Sequence, residues 1–299
     1  MKVFVTGASG FVGRAVVQEL LAAGHQVVGL ARSVEAAQQL VAAGVVPFMG
    51  DLTQPEALAP AIAATDAVIH LGFIHDFTRF KDMCMLDAEV IESIGEKLKG
   101  TTKSFIITSA IGIIAKEGVV IESDRAGNSI NPRVATEEAA DLVARQDVHV
   151  SVVRLSPVIH DQGDVHGFLP SLIRLAKEKA VSAYWGDGSN LWPAAHRLDI
   201  AKLYVHALET IATPGTRYHA VAESGVPLGK IAAVVAEKLD LPLVAIPTAE
   251  VEQHFTWFTH FAKFNIKASS AETQLALSWQ PTHPTLLEDL EGTVYFPSV

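Results

Sequence analysis

Short apolar runs alternate with amphipathic segments through the first half of the chain. The runs are rich in Val, Ile, Phe and Leu, which is typical of buried parallel strands, and the segments between them show helical spacing. The predicted strands are 2–7, 25–32, 45–52, 66–72, 103–110 and 148–156, and the predicted helices are 13–24, 33–44, 55–65, 79–99 and one opened by Asn131 and Pro132. Alternation of this kind needs crossover connections, which predicts an α/β fold with a doubly wound parallel sheet, the Rossmann fold.

The pattern loosens after about residue 156, where loops rich in Gly, His, Asp and aromatic residues separate shorter elements. We therefore predict a dinucleotide-binding domain over 1–156. Residues 157–299 are predicted to form mainly a smaller C-terminal substrate-binding lobe over the carboxyl edge of the sheet. Some of its elements, such as RYHAVA (217–222), are expected to return to the sheet.

Composition limits the classes of partner. The chain has 299 residues, of which 49% are hydrophobic and 19% charged, as expected of a globular protein with a sizeable core. A formal net charge of −10 without a basic block argues against nucleic acid and anionic membrane as partners. The single cysteine, Cys84, excludes an internal disulfide, and the chain shows no signal peptide or membrane span, so we expect a cytoplasmic protein.

A glycine-rich turn follows the first predicted strand. TGASGFVG (6–13) spaces Gly7, Gly10 and Gly13 as G-x-x-G-x-x-G. The first glycine allows a tight turn, the second lets backbone approach a pyrophosphate, and the third lets the helix pack closely on the strand. The helix N-terminus then presents N–H groups to the anion. The turn residues predicted to bind a dinucleotide are Gly7, Ser9, Gly10, Phe11, Val12 and Gly13.

The end of the second strand distinguishes between the two nicotinamide cofactors. An acidic residue in this region usually holds the ribose 2′-hydroxyl of NAD, but here the chain has Arg32 and Ser33. A guanidinium can bind a 2′-phosphate through charge-assisted hydrogen bonds worth about 1.5–3 kcal/mol. The sequence therefore favours NADP(H) over NAD(H), with a solvated arginine at a helix start as the alternative.

These residues resemble the short-chain dehydrogenase/reductase superfamily, specifically its extended, epimerase-like branch. The resemblance covers nearly the whole chain and includes TGASGFVG (6–13), GDLT (50–53), VIHLG (68–72), FIITSA (105–110), VRLSPVIHDQG (153–163), WPAAHRLDIAKLY (192–204) and LSWQPTHP (277–284). It implies cofactor contacts from Asp51, Leu52, Leu71, Gly72, Ser109 and Pro157. It also implies that Ser109 helps to polarise the substrate.

The chain departs from that family at the catalytic acid. The family's Tyr-x-x-x-Lys pair is expected about twenty-five residues after the serine, and the count from Ser109 reaches Arg133 or Val134, with Glu137 or Glu138 four residues later. No tyrosine of the chain has a lysine four residues on. We hypothesise that Arg133 stabilises a negative oxygen during reduction of an activated double bond. The alternative is that Arg133 and Glu137 form an i,i+4 pair on a solvated helix face.

Histidines are the other candidates for the missing acid. His160, His166 and His196 are predicted in loops at the carboxyl edge, and His160, three residues after Pro157, is the first choice. The spacing in HDQGDVH (160–166) and the absence of cysteine there do not favour a metal site.

The sequence thus predicts an NADP-dependent oxidoreductase that transfers hydride to a small carbonyl, enone or related apolar substrate. The alternative is a catalytically silent NADPH-binding sensor or scaffold. A nucleotide-sugar epimerase or dehydratase is disfavoured because those reactions depend on the missing tyrosine. A homodimer is a further expectation from the resemblance.

Overall fold

A computed structural model of the protein describes residues 1–114, 116–127 and 129–296. Its strands are β1 (Lys2–Thr6), β2 (Gln26–Ala31), β3 (Val46–Met49), β4 (Ala67–His70), β5 (Ser104–Ala110), β6 (Val119–Val120), β7 (Val150–Leu155), β8 (Val158–His160), β9 (Ser182–Trp185), β10 (Leu191–His196), β11 (Thr216–Ala220), β12 (Glu223–Pro227), β13 (Leu243–Ile246) and β14 (Lys267–Ala268). Its α-helices are α1 (Phe11–Ala22), α2 (Val34–Ala42), α3 (Ala59–Ala63), α4 (Phe80–Leu98), α5 (Val134–Ala144), α6 (Phe168–Lys179), α7 (Arg197–Glu209), α8 (Leu228–Leu239), α9 (Val251–Phe255), α10 (Thr259–Ala262), α11 (Ala271–Leu277) and α12 (Leu286–Glu291).

The main sheet has seven strands in the order β11-β7-β5-β4-β1-β2-β3, and every neighbouring pair is parallel. This confirms the predicted doubly wound α/β fold. The strand order reverses between β1 and β4, so their carboxyl ends form the crevice where such sheets bind ligands. The predicted return of 217–222 is also confirmed, because β11 pairs with β7 and Tyr218 lies opposite Val153.

Helices cover both faces of this sheet. Val3 and Val5 of β1 are fully buried in one apolar cluster with α1 and α7, whereas Phe4 is buried in a second cluster with α4 and α5. Alternate residues of one strand therefore enter opposite cores, which explains why β1 reads as a continuous apolar run. No helix among the described residues is long and apolar enough to cross a membrane.

Two predicted helices begin differently from the expectation. Segment 55–65 forms a 3₁₀ turn, Pro55–Leu58, followed by the short helix α3. The helix expected to open at Asn131 begins at Val134, because the side chain of Asn131 accepts a hydrogen bond from the N–H of Arg133 at 3.0 Å. A side-chain bond of this kind stabilises a turn and delays the helix.

The C-terminal half forms a separate apolar core. The strands β8, β10 and β12 make a three-stranded sheet, and β9 pairs with β13. Trp192, Phe255 and Phe258 are fully buried in the core of this lobe, so these aromatic rings stabilise the lobe rather than line an open surface. The helix α7 departs from this pattern because it packs in the core of the main sheet with α1.

Candidate active site

The glycine turn forms a cradle that side chains cannot enter. A Cβ atom on Gly13 would lie 2.0 Å from the carbonyl oxygen of Gly7, and a Cβ on Gly7 would lie 2.7 Å from the nitrogen of Gly72. Gly7 also has a φ of 67°, which favours glycine. Gly10 is the N-cap residue of α1 and provides no side-chain cap, so the first N–H groups of the helix have no side-chain acceptor there. The cradle fits a pyrophosphate group.

Thr6 joins the two strand ends at the switch point. Its hydroxyl oxygen accepts the N–H of Gly72 at 3.0 Å, and its carbonyl accepts the N–H of Leu71 at 3.3 Å. Leu52, Gly72, Ile74 and Met83 line a narrow cavity beside this junction. The predicted residues Leu52, Leu71 and Gly72 therefore lie together at the carboxyl edge of the sheet, next to the glycine cradle.

Arg32 lies at the carboxyl end of β2 and is exposed. Ser33 caps α2 by accepting the N–H of Ala36 at 3.2 Å. Asp51 accepts hydrogen bonds from the N–H and the hydroxyl of Thr53, both at 2.8 Å. These bonds and, more weakly, the charge of Arg32 lower the pKa of Asp51. Arg32 thus makes no hydrogen bond or ion pair within the part of the chain that the structure describes, and Asp51 is bound to Thr53.

Arg133 is held in place at the carboxyl edge by three neighbours. Its Nη2 donates to the carbonyl oxygen of Thr108 at 3.2 Å, and its Nη1 lies 3.4 Å from Oδ2 of Asp87. Its guanidinium carbon lies 3.7 Å from the ring centroid of Phe73, which is a cation–π contact. Within the described residues, Nη1 is buried and has no hydrogen-bond partner.

Asp87 connects Arg133 to the cofactor turn. His70 bridges the two, with Nδ1 at 2.7 Å from the hydroxyl of Thr6 and Nε2 at 3.2 Å from Oδ1 of Asp87. The hydroxyl of Thr136 donates to Oδ2 of Asp87 at 2.6 Å. Burial alone would raise the pKa of Asp87, but the charge of Arg133 and the bond from His70 hold it below its ordinary value.

Sequence reasoning missed Asp87, although a signal was present. The apolar face of α4 is buried at Met83, Ile91, Ile94 and Leu98, and Asp87 lies within that spacing. A carboxylate in the middle of an apolar helix stripe must be paired or hydrogen-bonded, which would have pointed to a buried partner.

Glu137 and Arg133 do not form the solvated i,i+4 pair that we considered, and that alternative is wrong. Glu137 is buried, and both of its carboxylate oxygens accept from Arg154 at 2.7 Å. Arg217 adds an ion pair at 3.4 Å. The hydroxyl of Ser109 is also buried and donates to Glu137 at 2.9 Å. The side chain of Ser109 is therefore engaged with α5 in this structure.

His160 and His196 lie in strands β8 and β10, which corrects the prediction that they lie in loops. Nδ1 of His160 lies 2.6 Å from Oδ2 of Asp289, and the ring of His160 is fully buried. Burial lowers the pKa of His196 despite the nearby carboxylate of Asp161. His160 and His196 lie opposite each other in the paired strands β8 and β10, and both side chains are buried. His166 does lie in a loop and is exposed.

The second lobe reaches the cradle through Arg197, another residue that sequence reasoning missed. Arg197 forms two hydrogen bonds with Oδ2 of Asp161, at 3.0 and 2.6 Å, and its guanidinium carbon lies 4.6 Å from the ring centroid of Phe11. Pro157 is half-buried between β7 and β8. Among the described residues, no group of three or more His, Cys, Asp or Glu side chains could hold a metal ion.

Comparison with known proteins agrees with this architecture. Residues 3–220 match the sequence model of the NAD dependent epimerase/dehydratase family. The chain belongs to this family. Its members are NAD(P)-dependent enzymes.

Among its relatives, an uncharacterized protein of Schizosaccharomyces pombe is 44% identical over 297 residues, which is 99% of this chain and 100% of that protein. A 2-alkyl-3-oxoalkanoate reductase of Stenotrophomonas maltophilia is 29% identical over 229 residues, covering 72% of this chain and 67% of the reductase. The fold is similar to that of UDP-glucuronic acid 4-epimerase from Bacillus cereus, solved with UDP-glucuronic acid and NAD, with a TM-score of 0.77, 17% identity and coverage of 99% and 98%.

Proposed function

We propose that the protein is an NADP(H)-dependent oxidoreductase that reduces a small carbonyl or enone compound. The observation that carries this proposal is the glycine cradle, closed to side chains at the strand switch point, with an exposed arginine rather than a carboxylate at the end of β2. Bound NADPH would supply the hydride for the reduction.

The preference for NADP rests on Arg32. Its guanidinium makes no hydrogen bond or ion pair with any described residue, and Asp51 is held by Thr53. A 2′-phosphate would therefore meet an unpaired cation, whereas the 2′-hydroxyl of NAD would have no dedicated carboxylate acceptor there. Asp51 and Leu52 are proposed to contact the adenosine moiety.

Arg133 provides the chemistry at the substrate end. A guanidinium keeps its proton near neutral pH, so it acts by stabilising negative charge on the substrate oxygen rather than by donating a proton. Solvent then supplies the proton. The Stenotrophomonas relative is named a reductase of 2-alkyl-3-oxoalkanoates, which supports an oxo group as the part of the substrate that is reduced.

A second candidate is a catalytically silent NADPH-binding protein. The observation that favours it is the enclosure of the expected polar groups: Ser109 donates to Glu137, and His160 is bound to Asp289. The two candidates share the cofactor site and differ only in hydride transfer. They are separated by whether the NADPH complex is oxidised by any added acceptor.

The test is a fluorescence titration with NADPH and NADH, followed by a screen of oxo acids, enones and aldehydes for NADPH oxidation. We expect NADPH to bind at least about tenfold more tightly than NADH, the effect of one charge-assisted hydrogen bond. Failure of both nucleotides to bind would overturn the oxidoreductase proposal. Tight NADPH binding without oxidation by any acceptor would favour the silent candidate.

A further inference from the structure

The first residues of α1 and α7 meet at the carboxyl edge of the main sheet. Phe11 begins α1 and Arg197 begins α7, and both helices pack in the same apolar core. The guanidinium carbon of Arg197 lies 4.6 Å from the centroid of the Phe11 ring, which is a cation–π contact, and Nη1 lies 3.5 Å from the carbonyl oxygen of Phe11. Arg197 directly follows β10, so the three-stranded sheet contacts the start of α1 through this side chain.

Asp161 fixes the position of the Arg197 guanidinium. Nε and Nη2 of Arg197 both donate to Oδ2 of Asp161, at 3.0 and 2.6 Å. The two residues directly follow His160 and His196, which lie opposite each other in the paired strands β8 and β10. The register of the second sheet therefore places the carboxylate beside the guanidinium. The side chains of Asp161 and Arg197 are 14% and 17% exposed, so solvent screens this ion pair less than a pair at the surface.

The other carboxylate oxygen of Asp161 also has a partner. Oδ1 accepts a hydrogen bond from the N–H of Gln162, and Nε2 of His196 lies 3.6 Å from it. Nδ1 of His196 accepts the N–H of Leu198 at 3.2 Å and thereby caps α7. Asp161 is therefore bound on both oxygens, and the guanidinium that it binds is connected to β8 as well as to β10.

Phe11 carries one of the N–H groups that the glycine cradle offers to an anion. The first N–H groups of α1 belong to Phe11, Val12 and Gly13, and an α-helix provides no acceptor for them. Val12 packs against the apolar core, whereas the ring of Phe11 lies against Arg197. The orientation of the first turn of α1 therefore depends on the guanidinium, and a change in that orientation would weaken the binding of a pyrophosphate.

We propose that Arg197 is a positioning residue for the cofactor. Together with Asp161 it holds Phe11, and with Phe11 the N–H groups that bind the pyrophosphate. Arg197 acts through the ring rather than as a ligand of the phosphates, because Asp161 occupies two of its donors and balances its charge. The inference rests on the proposed function in one respect, namely that the cofactor binds in the glycine cradle, and it does not depend on hydride transfer.

The first test compares the affinities of the unmodified protein and of Arg197→Met for NADPH and NADH. Methionine keeps an unbranched apolar chain but removes the charge and the donors. We expect both affinities to fall by the same factor, about three- to thirtyfold, because the pyrophosphate is common to both nucleotides and one partly buried cation–π contact covers this range. Arg197→Lys keeps a cation for the ring but not the planar fork that binds Asp161, so its affinities should be intermediate.

A double-mutant cycle tests whether Arg197 acts through Phe11. Phe11→Leu removes the ring and keeps an apolar side chain. If the ring transmits the effect, adding Arg197→Met to Phe11→Leu should change the affinity for NADPH by less than about twofold, although each single variant weakens it. Arg174→Met is the matched control, because Arg174 is an exposed arginine of α6 in the same lobe, and this substitution should leave both affinities unchanged.

Urea denaturation of the same proteins separates positioning from a purely structural role. A lower midpoint for Arg197→Met with both affinities unchanged would overturn the inference. A loss of affinity of the same size with and without the Phe11 ring would also overturn it, because this result indicates direct attraction of the phosphates. If the unmodified protein binds neither nucleotide, the proposed function and the inference fail together, whereas normal binding by both the unmodified protein and Arg197→Met refutes the inference alone.

Discussion

Arg154 holds the carboxylate of Glu137 through two hydrogen bonds of 2.7 Å, and the exposed fractions of their side chains are 0% and 4%. Glu137 stands four residues after Arg133 and is one of the two positions, with Glu138, where the resemblance implies the lysine of the catalytic pair. Here the position holds an anion that is balanced by the arginines of β7 and β11.

Removing the carboxylate of Glu137 should destabilise the fold. Glu137→Ala leaves Arg154 buried without its counter-charge and Arg217 paired with Asp141 alone, which costs about 3–5 kcal/mol in the free energy of unfolding. Glu137→Lys should cost more because it adds a third cation. Urea denaturation followed by circular dichroism measures the loss. Glu138→Gln, at an exposed position of the same helix, should change stability by less than about 0.5 kcal/mol. An unchanged midpoint for Glu137→Ala would contradict this account of the pair.

The ion pair of Glu137 and Arg154 also predicts that the free energy of unfolding decreases at acidic pH. Burial would raise the pKa of Glu137, but the bonds and charge of Arg154, followed by Arg217, hold it below 4.5. A carboxyl whose pKa is lowered on folding stabilises the protein above its unfolded pKa, and this stabilisation is lost as the pH falls toward the folded pKa. Asp87 acts in the same direction. The free energy of unfolding should therefore decline below about pH 4.5.

Urea titrations between about pH 6 and pH 3 measure this decline. Glu137→Gln should be less stable at pH 6 and show a smaller decline, whereas Glu138→Gln should follow the unmodified protein. Parallel curves for all three proteins would show that Glu137 does not contribute.

Gly13→Ala should damage the cradle. Its Cβ would lie 2.0 Å from the carbonyl oxygen of Gly7, so the turn must open. We expect a loss of about 1–3 kcal/mol in stability, as for other overpacked sites, and a loss of NADPH binding. Gly24→Asn is the control, because Gly24 has a φ of 82°, a Cβ added there would meet no atom within 4 Å, and Asn tolerates that conformation. Normal NADPH affinity in Gly13→Ala would place the cofactor elsewhere.

Arg32→Ala should change the preference between the nucleotides. Loss of a charge-assisted contact to the 2′-phosphate should weaken NADPH binding by about ten- to a hundredfold and leave NADH nearly unaffected. Arg14→Ala, at an exposed arginine of α1, should leave the ratio of the two affinities unchanged. An equal effect of Arg32→Ala on both nucleotides would show only general electrostatic attraction.

The fold was predictable because it depends on local patterns. Val3, Phe4 and Val5 are apolar in sequence and buried on both sides of the sheet, and the glycine spacing fixes the turn that follows. The hydrogen bonds and ion pairs between polar side chains were not predictable in the same way. Glu137 meets Arg217, which lies 80 residues away, and His160 meets Asp289, 129 residues away. Such pairs depend on how the lobe returns to the sheet, and the spacing of apolar residues along the sequence does not predict them. The roles of Ser109, His160 and His196 in catalysis stay predictions.

Asp87 and Arg133 should behave as one energetic unit. Asp87→Ala leaves the guanidinium largely buried without its counter-charge and removes the acceptor for His70, so we expect a loss of about 3–5 kcal/mol. Arg133→Met leaves the carboxylate buried between His70 and Thr136, and it should also be destabilising. The double variant Asp87→Ala with Arg133→Met carries neither charge and should be more stable than the sum of the single effects implies, by about 0.5–3 kcal/mol. Urea denaturation of the four proteins gives this coupling energy. Strictly additive effects on stability would show that the 3.4 Å approach of Arg133 to Asp87 contributes nothing.

Asp87 is also linked to the glycine cradle. Since His70 and Thr6 connect Asp87 to the N–H of Gly72, Asp87→Ala should weaken NADPH binding as well, whereas Asp82→Ala, at an exposed position of the same helix, should not.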